Sequence, residues 1–284
     1  MNIKEVSIIG AGTMGNGIAH VFAQNNYKVN LVEQEAEFLK RGLSTINKNL
    51  DRQVNKEAIS IEQKEMTLSN INGIIGIENT PNESDLVIEA IYENKETKLN
   101  IFNKLNDIIK SNSIFASNTS SISITELSAN IRSEQFIGMH FMNTVPVMKL
   151  VEIIRGYSTS NETFETIKDL SLKLGKTPVE VFDYPGFISN RILMPMINEA
   201  IFALMEKVAS AEDIDTVMKL GMNHPMGPLT LADFIGLDVC LSIMEVLYNG
   251  FNDSKYRPCP LLKKMVAAKK LGRKSGEGFF KYNK

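Results

Sequence analysis

The chain has 284 residues, of which 43% are hydrophobic and 23% are charged, and its formal net charge is -2. This length and composition are typical of a globular protein with two domains and exclude a disordered or collagen-like chain. The balanced charge gives no broad positive field for nucleic acid or an anionic membrane. The sequence also contains no apolar run of about 18 residues, the length that a helix needs to span a bilayer. The two cysteines lack the spacing of a zinc or redox motif. We expect a cytoplasmic protein without a structural metal.

Short β-rich segments alternate with helical patterns over the first two-thirds of the chain, which predicts a mostly parallel sheet with crossover helices. The candidate strands, in chain order, are VSIIG, KVNLVE, GIIGIE, DLVIEAI, SIFAS, FIGMHFM, KLVEII and TPVEVF. The helices between them are predicted to include residues 16–25, 36–49 and 95–110. This order is that of a Rossmann-type α/β domain.

The pattern changes at Asp183-Tyr184-Pro185-Gly186, where turn residues precede a long apolar helix predicted from about Phe187 to Met205. Further helices are predicted in SAEDIDTVMKLG, GPLTLADFIGLDVCLSIMEVLYNG and CPLLKKMVAAKKLG. We therefore predict two domains, an α/β domain over residues 1–184 and a smaller all-α domain over residues 185–284.

A glycine-rich turn, IIGAGTMGNG, follows the first predicted strand and opens the first helix. Gly10, Gly12 and Gly15 fit the G-x-G-x-x-G pattern, in which the glycines permit a tight turn, close approach of a pyrophosphate and close helix packing. The alternative is a plain glycine corner between a strand and a helix. The residues between the glycines are Ala11, Thr13 and Met14, and their backbone would face the ligand.

An acidic residue at the end of the second strand distinguishes these alternatives. Glu33 lies about 20 residues beyond the motif, where a carboxylate accepts hydrogen bonds from a ribose diol. Glu35 follows, with no arginine or lysine before Lys40, so a ribose 2′-phosphate would be repelled. The pattern therefore favours NAD over NADP.

An alcohol dehydrogenase needs a group that accepts the hydroxyl proton, and histidine suits this role near neutral pH. His20 lies in the helix after the glycine turn and is more typical of a buried structural residue, and His224 precedes a helix that it could cap. His140 lies near a strand end, where open α/β sheets bind their ligands. Glu152, in the next strand, would be costly to bury unpaired, so a hydrogen bond from His140 would satisfy it. The alternative for Glu152 is an exposed strand edge.

Several stretches together resemble the short-chain L-3-hydroxyacyl-CoA dehydrogenases, particularly the bacterial 3-hydroxybutyryl-CoA dehydrogenases. These stretches are GAGTMGNGIA, ASNTSSISIT, GMHFMN, PVMKLVEIIRG, PGFISNRILMPMINEA, HPMGP, IGLDV and GRKSGEGFFKY, and they cover almost the whole chain. The resemblance implies that His140 is the acid/base and Glu152 its orienting partner. It also implies that the helical domain contributes to the substrate cleft and to a homodimer interface.

The resemblance implies roles for further polar residues. Ser120 and Asn190 match the residues around the reacting end of the substrate, although by themselves they would be a loop or cap residue and a first-turn helix residue. The positions that match NAD contacts are Glu93, Lys98, Asn143 and Lys274. Without the resemblance, Glu93 and Lys98 would be a surface helix pair and Lys274 a solvated charge. Lys56 resembles a lysine near the coenzyme A phosphates, although a lone lysine in a polar helix is usually only solvated.

The leading hypothesis is therefore reversible NAD(H)-dependent hydride transfer at C3 of a short (S)-3-hydroxyacyl-CoA, with 3-hydroxybutanoyl-CoA and acetoacetyl-CoA as the pair. Two alternatives stay open. The first is an NAD-dependent dehydrogenase of a free 3-hydroxy acid, which would need a compact cationic site for the carboxylate. The second is a non-catalytic NAD-binding protein, against which His140 and Glu152 argue.

Overall fold

The computed structural model describes residues 2–282, and the chain divides into two compact units, Met1–Asp183 and Tyr184–Lys284. The first unit contains every strand of the described sheet, and the second is helical. No helix in residues 2–282 combines the length and the apolar character needed to cross a membrane. The predicted fold class, a Rossmann-type α/β domain followed by an all-α domain, is confirmed.

The first unit is built on one eight-stranded sheet with the order β3-β2-β1-β4-β5-β6-β7-β8. All neighbouring strands are parallel except β6 and β7, which are antiparallel. The strands are β1 (Glu5–Ile9), β2 (Lys28–Glu33), β3 (Ile71–Ile75), β4 (Leu86–Glu89), β5 (Ile114–Ser117), β6 (Phe136–Phe141), β7 (Leu150–Arg155) and β8 (Thr177–Phe182).

The chain order reverses between β1 and β4, since β2 and β3 extend the sheet on one side of β1 and β4 begins the other side. Ligands of open α/β sheets bind outside the carboxyl ends of the strands at such a switch point. The glycine-rich turn leaves β1 at this position, so the topology places the predicted nucleotide turn where such a ligand would bind.

Six α-helices lie in the described part of the first unit, residues 2–183: α1 (Thr13–Gln24), α2 (Ala36–Asn55), α3 (Ile61–Ser69), α4 (Lys95–Ile108), α5 (Ile124–Ser128) and α6 (Asn161–Lys173). Helix α2 extends beyond the predicted residue 49, and α1 begins three residues before the predicted start. The apolar face of α1 is buried in the main core together with β1 and β2, and its largest contributions include Ile18 and Phe22.

The second unit, as described over residues 184–282, contains five α-helices around their own apolar core: α7 (Ser189–Met205), α8 (Ala211–Thr216), α9 (Pro228–Ile235), α10 (Leu237–Phe251) and α11 (Pro260–Ala267). The prediction of one continuous helix through GPLTLADFIGLDVCLSIMEVLYNG is wrong. Gly236 adopts φ 105°, a conformation outside the right-handed helix, and separates α9 from α10.

Candidate active site

The three glycines of the turn after β1 differ in whether the fold of the turn itself requires a glycine. Gly10 has φ 101°, which strongly favours glycine, and a Cβ on Gly15 would lie 1.8 Å from the Gly10 carbonyl oxygen. A Cβ on Gly12, in contrast, would meet no atom within 4 Å. Gly10 and Gly15 are therefore required by the fold of the turn, whereas Gly12 leaves open space in front of it.

The first turn of α1 fits a bound anion. Gly12 is its N-cap residue and provides no side-chain hydrogen bond, and the first turn contains no acidic residue. The amides at such a helix start have no intrahelical acceptor, and the helix dipole adds positive potential. The amides of Thr13, Met14 and Gly15 can therefore bind a pyrophosphate, and the open space at Gly12 allows its approach.

Glu33, the last residue of β2, is fixed beside this turn. Its Oε2 accepts a hydrogen bond from the Ala11 amide at 2.9 Å, and its Oε1 accepts one from the Gln34 amide at 2.7 Å. The carboxylate borders a cavity of about 560 Å³, whose lining also includes Gly10, Gly12, Phe38 and Tyr92. A fixed acceptor beside a partly apolar cavity suits a nucleoside, whose ribose has two hydroxyl donors.

His140 and Glu152 lie directly opposite each other on the antiparallel strands β6 and β7. The Nδ1 of His140 is 2.7 Å from Oε2 of Glu152, and the glutamate side chain is fully buried. The alternative of an exposed strand edge for Glu152 is therefore wrong, because β8 covers the other side of β7. A buried carboxylate that accepts from Nδ1–H fixes the tautomer and leaves Nε2 as the ring nitrogen that could exchange a proton with a ligand.

Glu93 organises the loop that contains Ser120. Its Oε1 accepts hydrogen bonds from the Thr119 hydroxyl at 2.6 Å and from the Ser120 amide at 2.9 Å. Burial raises the pKa of Glu93, but the Lys98 charge and these donors outweigh it, so the pKa lies below its ordinary value. Glu93 is therefore an anionic anchor for the Ser120 loop.

Lys98 is buried in α4 and is shared by two carboxylates. Its Nζ lies 2.7 Å from Oε1 of Glu89 and 3.2 Å from Oε2 of Glu93. The alternative of a surface helix pair is wrong, because the Lys98 side chain is only 1% exposed and Glu93 precedes the helix. Glu89, the last residue of β4, also accepts a 2.6 Å hydrogen bond from the Ser117 hydroxyl.

The sequence prediction missed Glu89. Its signal was available, since DLVIEAI places a carboxylate within an apolar stretch, as KLVEII does for Glu152. The structure thus connects β4, β5 and the Ser120 loop through one cluster of charges and hydroxyls, which is buried at Glu89 and Lys98 and partly exposed at Glu93.

Asn143 lies in the loop after β6, and the Lys176 side chain is hydrogen-bonded to the backbone of this loop. The Lys176 ammonium donates hydrogen bonds to the carbonyl oxygens of Val145 and Met148, the latter at 2.8 Å. A Cβ on Gly17 of α1 would lie 3.0 Å from Val145, so this glycine permits the close packing of the loop on the helix. The hydrogen bonds from Lys176 and the packing of Val145 on Gly17 therefore fix the loop that contains Asn143.

Two of the predicted residues belong to the helical unit. Asn190 is buried in the first turn of α7. Lys274 lies in a short 3-10 turn, Arg273–Ser275, and its Nζ is 2.7 Å from Oδ2 of Asp238. The reading of Lys274 as only a solvated charge is thus incomplete, since its side chain is about half exposed but paired.

Buried Asp233 anchors the segment after Lys274. Its two carboxylate oxygens accept hydrogen bonds from the amides of Phe279 and Phe280 and from the Tyr282 hydroxyl. Burial, followed by this hydrogen bond to Asp233, raises the pKa of Tyr282 to about 12. The sequence prediction gave Asp233 no role.

The remaining predicted residues have simpler surroundings. Lys56 is the exposed C-cap residue of α2. His20 is fully buried, and its Nε2 accepts a 3.2 Å hydrogen bond from the Gln53 side chain, as expected for a structural histidine. Burial lowers the pKa of His20 to about 4, which makes it neutral near pH 7. His224 lies in the segment between α8 and α9, and its side chain is half-buried.

Comparison with known proteins places both units in one family. The family description "3-hydroxyacyl-CoA dehydrogenase, NAD binding domain" matches residues 5–184, and "3-hydroxyacyl-CoA dehydrogenase, C-terminal domain" matches residues 186–282. A probable 3-hydroxybutyryl-CoA dehydrogenase of Deinococcus radiodurans is 56% identical over 97% of this chain and 99% of the relative. The 3-hydroxybutyryl-CoA dehydrogenase of Bradyrhizobium diazoefficiens is 55% identical over 99% of this chain and 96% of the relative. The crystal structure of (S)-3-hydroxybutyryl-CoA dehydrogenase PaaH1 from Ralstonia eutropha is 49% identical, covers both chains completely and has a TM-score of 0.97.

Proposed function

The chain belongs to the 3-hydroxyacyl-CoA dehydrogenase family, and we propose that it catalyses reversible NAD(H)-dependent hydride transfer at C3 of short (S)-3-hydroxyacyl-CoA thioesters. The proposed pair is 3-hydroxybutanoyl-CoA and acetoacetyl-CoA, because relatives 47–56% identical are named for the former. The observation that carries the proposal is the 2.7 Å hydrogen bond between His140 and the buried Glu152 in an NAD-binding fold.

The proposed cofactor contacts follow from the turn and from β2. The first-turn amides of α1 bind the pyrophosphate, and the fixed carboxylate of Glu33 accepts hydrogen bonds from the adenosine ribose. NAD, when bound, supplies the hydride chemistry. Glu93, Lys98, Asn143 and Lys274 remain proposed contacts to the cofactor. For Lys98, which is buried between two carboxylates, support of Glu93 is the role that its observed contacts favour.

His140 performs the proposed proton transfer. During oxidation its Nε2 accepts the hydroxyl proton as the C3–H bond breaks and the C3=O bond forms, and during reduction the same nitrogen donates that proton. Glu152 stays ionised and stabilises the imidazolium through Nδ1–H, in the way that a buried carboxylate orients a catalytic histidine. Because Glu152 is fully buried, water weakens this charge interaction little.

The other proposed roles concern the substrate and assembly. We propose that Ser120 and Asn190 donate hydrogen bonds to the oxygen at C3 or to the thioester carbonyl, where negative charge develops. Lys56 is proposed to contact a coenzyme A phosphate. A homodimer in the cytoplasm is proposed from the family, with the helical unit as the interface.

A spectrophotometric assay of NADH oxidation tests the proposal, with acetoacetyl-CoA as substrate and acetoacetate as the matched control. We expect turnover only with the thioester. His140→Ala should lower kcat about 10²- to 10⁴-fold, the usual contribution of a general acid/base. Glu152→Gln should lower kcat by a smaller factor and change its pH profile, because the imidazolium loses its ionised partner. Equal turnover of acetoacetate, or an undiminished His140→Ala variant, would contradict the proposal.

A further inference from the structure

A second cavity, of about 230 Å³, adjoins the nucleoside cavity at Glu33 and has one cationic side chain, Arg41, in its lining. Both cavities are lined by Gly12, Glu33 and Phe38, but only the second is lined by Arg41. We infer that Arg41 forms a subsite for a phosphate monoester at the ribose 2′ position, and that the Glu33 carboxylate is what prevents NADPH from using it. This inference rests on the proposed NAD-dependent function of the same site.

Arg41 is available to an anion. It lies on α2, its side chain is exposed, and its guanidinium carbon is 5.7 Å from the centre of the Phe38 ring. Within residues 2–282, no carboxylate lies within ion-pair distance of the guanidinium. A guanidinium without an acidic partner keeps its planar set of donors for a phosphate, which arginine binds with two parallel hydrogen bonds.

The cavity has the volume and the polar lining for this group. Its volume corresponds to several water molecules, each about 30 Å³ in the liquid. Its lining includes Thr13, whose hydroxyl is a further donor, and Ala11 at the glycine turn. Arg41 is the only cationic residue of this lining, so a phosphate there would depend on it.

Glu33 opposes a phosphate because it is both charged and immobile. Two backbone amides, those of Ala11 and Gln34, hold its oxygens at 2.9 and 2.7 Å, so the carboxylate cannot turn away from the shared wall of the two cavities without losing them. A dianionic phosphate in the second cavity would therefore face a fixed negative charge beside the positive charge of Arg41. Glutamine at position 33 would remove the charge, retain an acceptor oxygen for the Ala11 amide and add an amide donor.

This arrangement changes the sequence argument about NADP. The sequence has no cation between Glu33 and Lys40, but α2 begins at Ala36 and brings Arg41 within its first two turns to the same cavity as Glu33. The discrimination between NADH and NADPH is thus predicted to depend on the balance of two opposite charges and not on the absence of a cation.

Binding of NADH and NADPH without acyl-CoA, followed by the fluorescence of the reduced nicotinamide, tests the inference separately from turnover. We expect Glu33→Gln to improve the affinity for NADPH relative to NADH by about tenfold or more. In Glu33→Gln/Arg41→Met most of this gain should disappear. The matched control is Glu33→Gln/Lys40→Met, which removes an exposed neighbouring cation that lines neither cavity and should preserve the gain within about twofold. Glu33→Ser provides a second, smaller neutral residue and should show the same dependence on Arg41.

The inference is overturned if the Arg41→Met double variant binds NADPH as tightly as Glu33→Gln does, or if Lys40→Met removes as much affinity as Arg41→Met. It is also overturned if neither neutral residue at position 33 improves the NADPH-to-NADH ratio. The proposed function has a separate test, because a wild-type protein that binds NADH and reduces acetoacetyl-CoA supports that function whatever the variants do.

Discussion

Replacing Lys98 by methionine tests the buried charge cluster that supports the Ser120 loop. Methionine preserves much of the volume of the aliphatic stem but removes the ammonium, which lies 2.7 Å from Glu89 and 3.2 Å from Glu93. Glu89 is fully buried, so its carboxylate would lose the one cation that pairs with it within residues 2–282. Breaking a buried pair in this way typically costs about 3–5 kcal/mol, because the remaining charge is uncompensated.

The expected loss for Lys98→Met lies near the lower limit, about 3 kcal/mol, since Glu89 retains hydrogen bonds from Ser117 and from the Ile91 amide. In Glu89→Gln/Lys98→Met both charges are removed, and at least half of the lost free energy of unfolding should return. Urea unfolding followed by far-ultraviolet circular dichroism measures these values, and the Glu89→Gln single variant completes the double-mutant cycle.

The pH dependence gives this prediction a second test. Burial raises the pKa of Glu89, and the Lys98 charge opposes this rise, so removing Lys98 raises the pKa further. A folded-state pKa above the unfolded value gives stability that is present at low pH and lost as pH rises through the folded value. The deficit of Lys98→Met should therefore shrink on acidification. A loss below about 1 kcal/mol at neutral pH, or a double variant no more stable than Lys98→Met, would refute the reasoning.

Three further predictions follow from the glycine turn, the buried histidine and the helical unit. Gly15→Ala should lower both NADH affinity and the free energy of unfolding, because its Cβ would overlap the Gly10 carbonyl. Gly12→Ala should lower only the affinity. Calorimetric titration with NADH measures the affinity, and urea unfolding measures the stability. Because burial lowers the pKa of His20 to about 4 from 6.5, its contribution is present above pH 6.5 and is lost as pH falls toward 4, by up to about 3 kcal/mol. His20→Phe should flatten this part of the stability-versus-pH curve, and an unchanged slope would exclude His20 as its source. Asp233→Asn should destabilise the protein by about 2 kcal/mol or more in thermal unfolding, since a charged acceptor of three hydrogen bonds is lost, and an unchanged Tm would contradict this.

The sheet was predictable from the sequence because its strands are short segments rich in β-branched residues. KVNLVE and TPVEVF match β2 and β8 to the residue. Helix α3 was missed because it buries only Thr67 and exposes Ile61 and Met66, so it shows no apolar stripe. Its capping box, Ser60 with Gln63, was nevertheless visible as S-x-x-Q and could have indicated the helix start.

The candidate site was predictable where a buried strand contains a carboxylate, and not where tertiary packing buries a polar helix. Glu152 pointed to His140 because a charge in KLVEII needs a partner. Lys98 lies in KETKLNIFNK, whose polar composition indicates a solvated helix, and only the packing of α4 reveals that its ammonium is buried. The contacts of Lys176 with the Asn143 loop were equally invisible, since they join residues 28 and 31 positions apart through backbone carbonyls.

Two buried carboxylates of the same sheet, Glu89 and Glu152, differ in the group that neutralises each of them. Glu89 accepts hydrogen bonds from the Lys98 ammonium and the Ser117 hydroxyl, so its contacts fix the geometry of β4, β5 and α4. Glu152 faces an imidazole, the side chain whose charge changes near neutral pH, and the second nitrogen of that ring points away from the carboxylate. Burial alone therefore does not identify the catalytic carboxylate. The chemistry of its partner distinguishes the two, and on that ground we propose the His140–Glu152 pair for the proton transfer, and Glu89 and Lys98 for the support of the Ser120 loop.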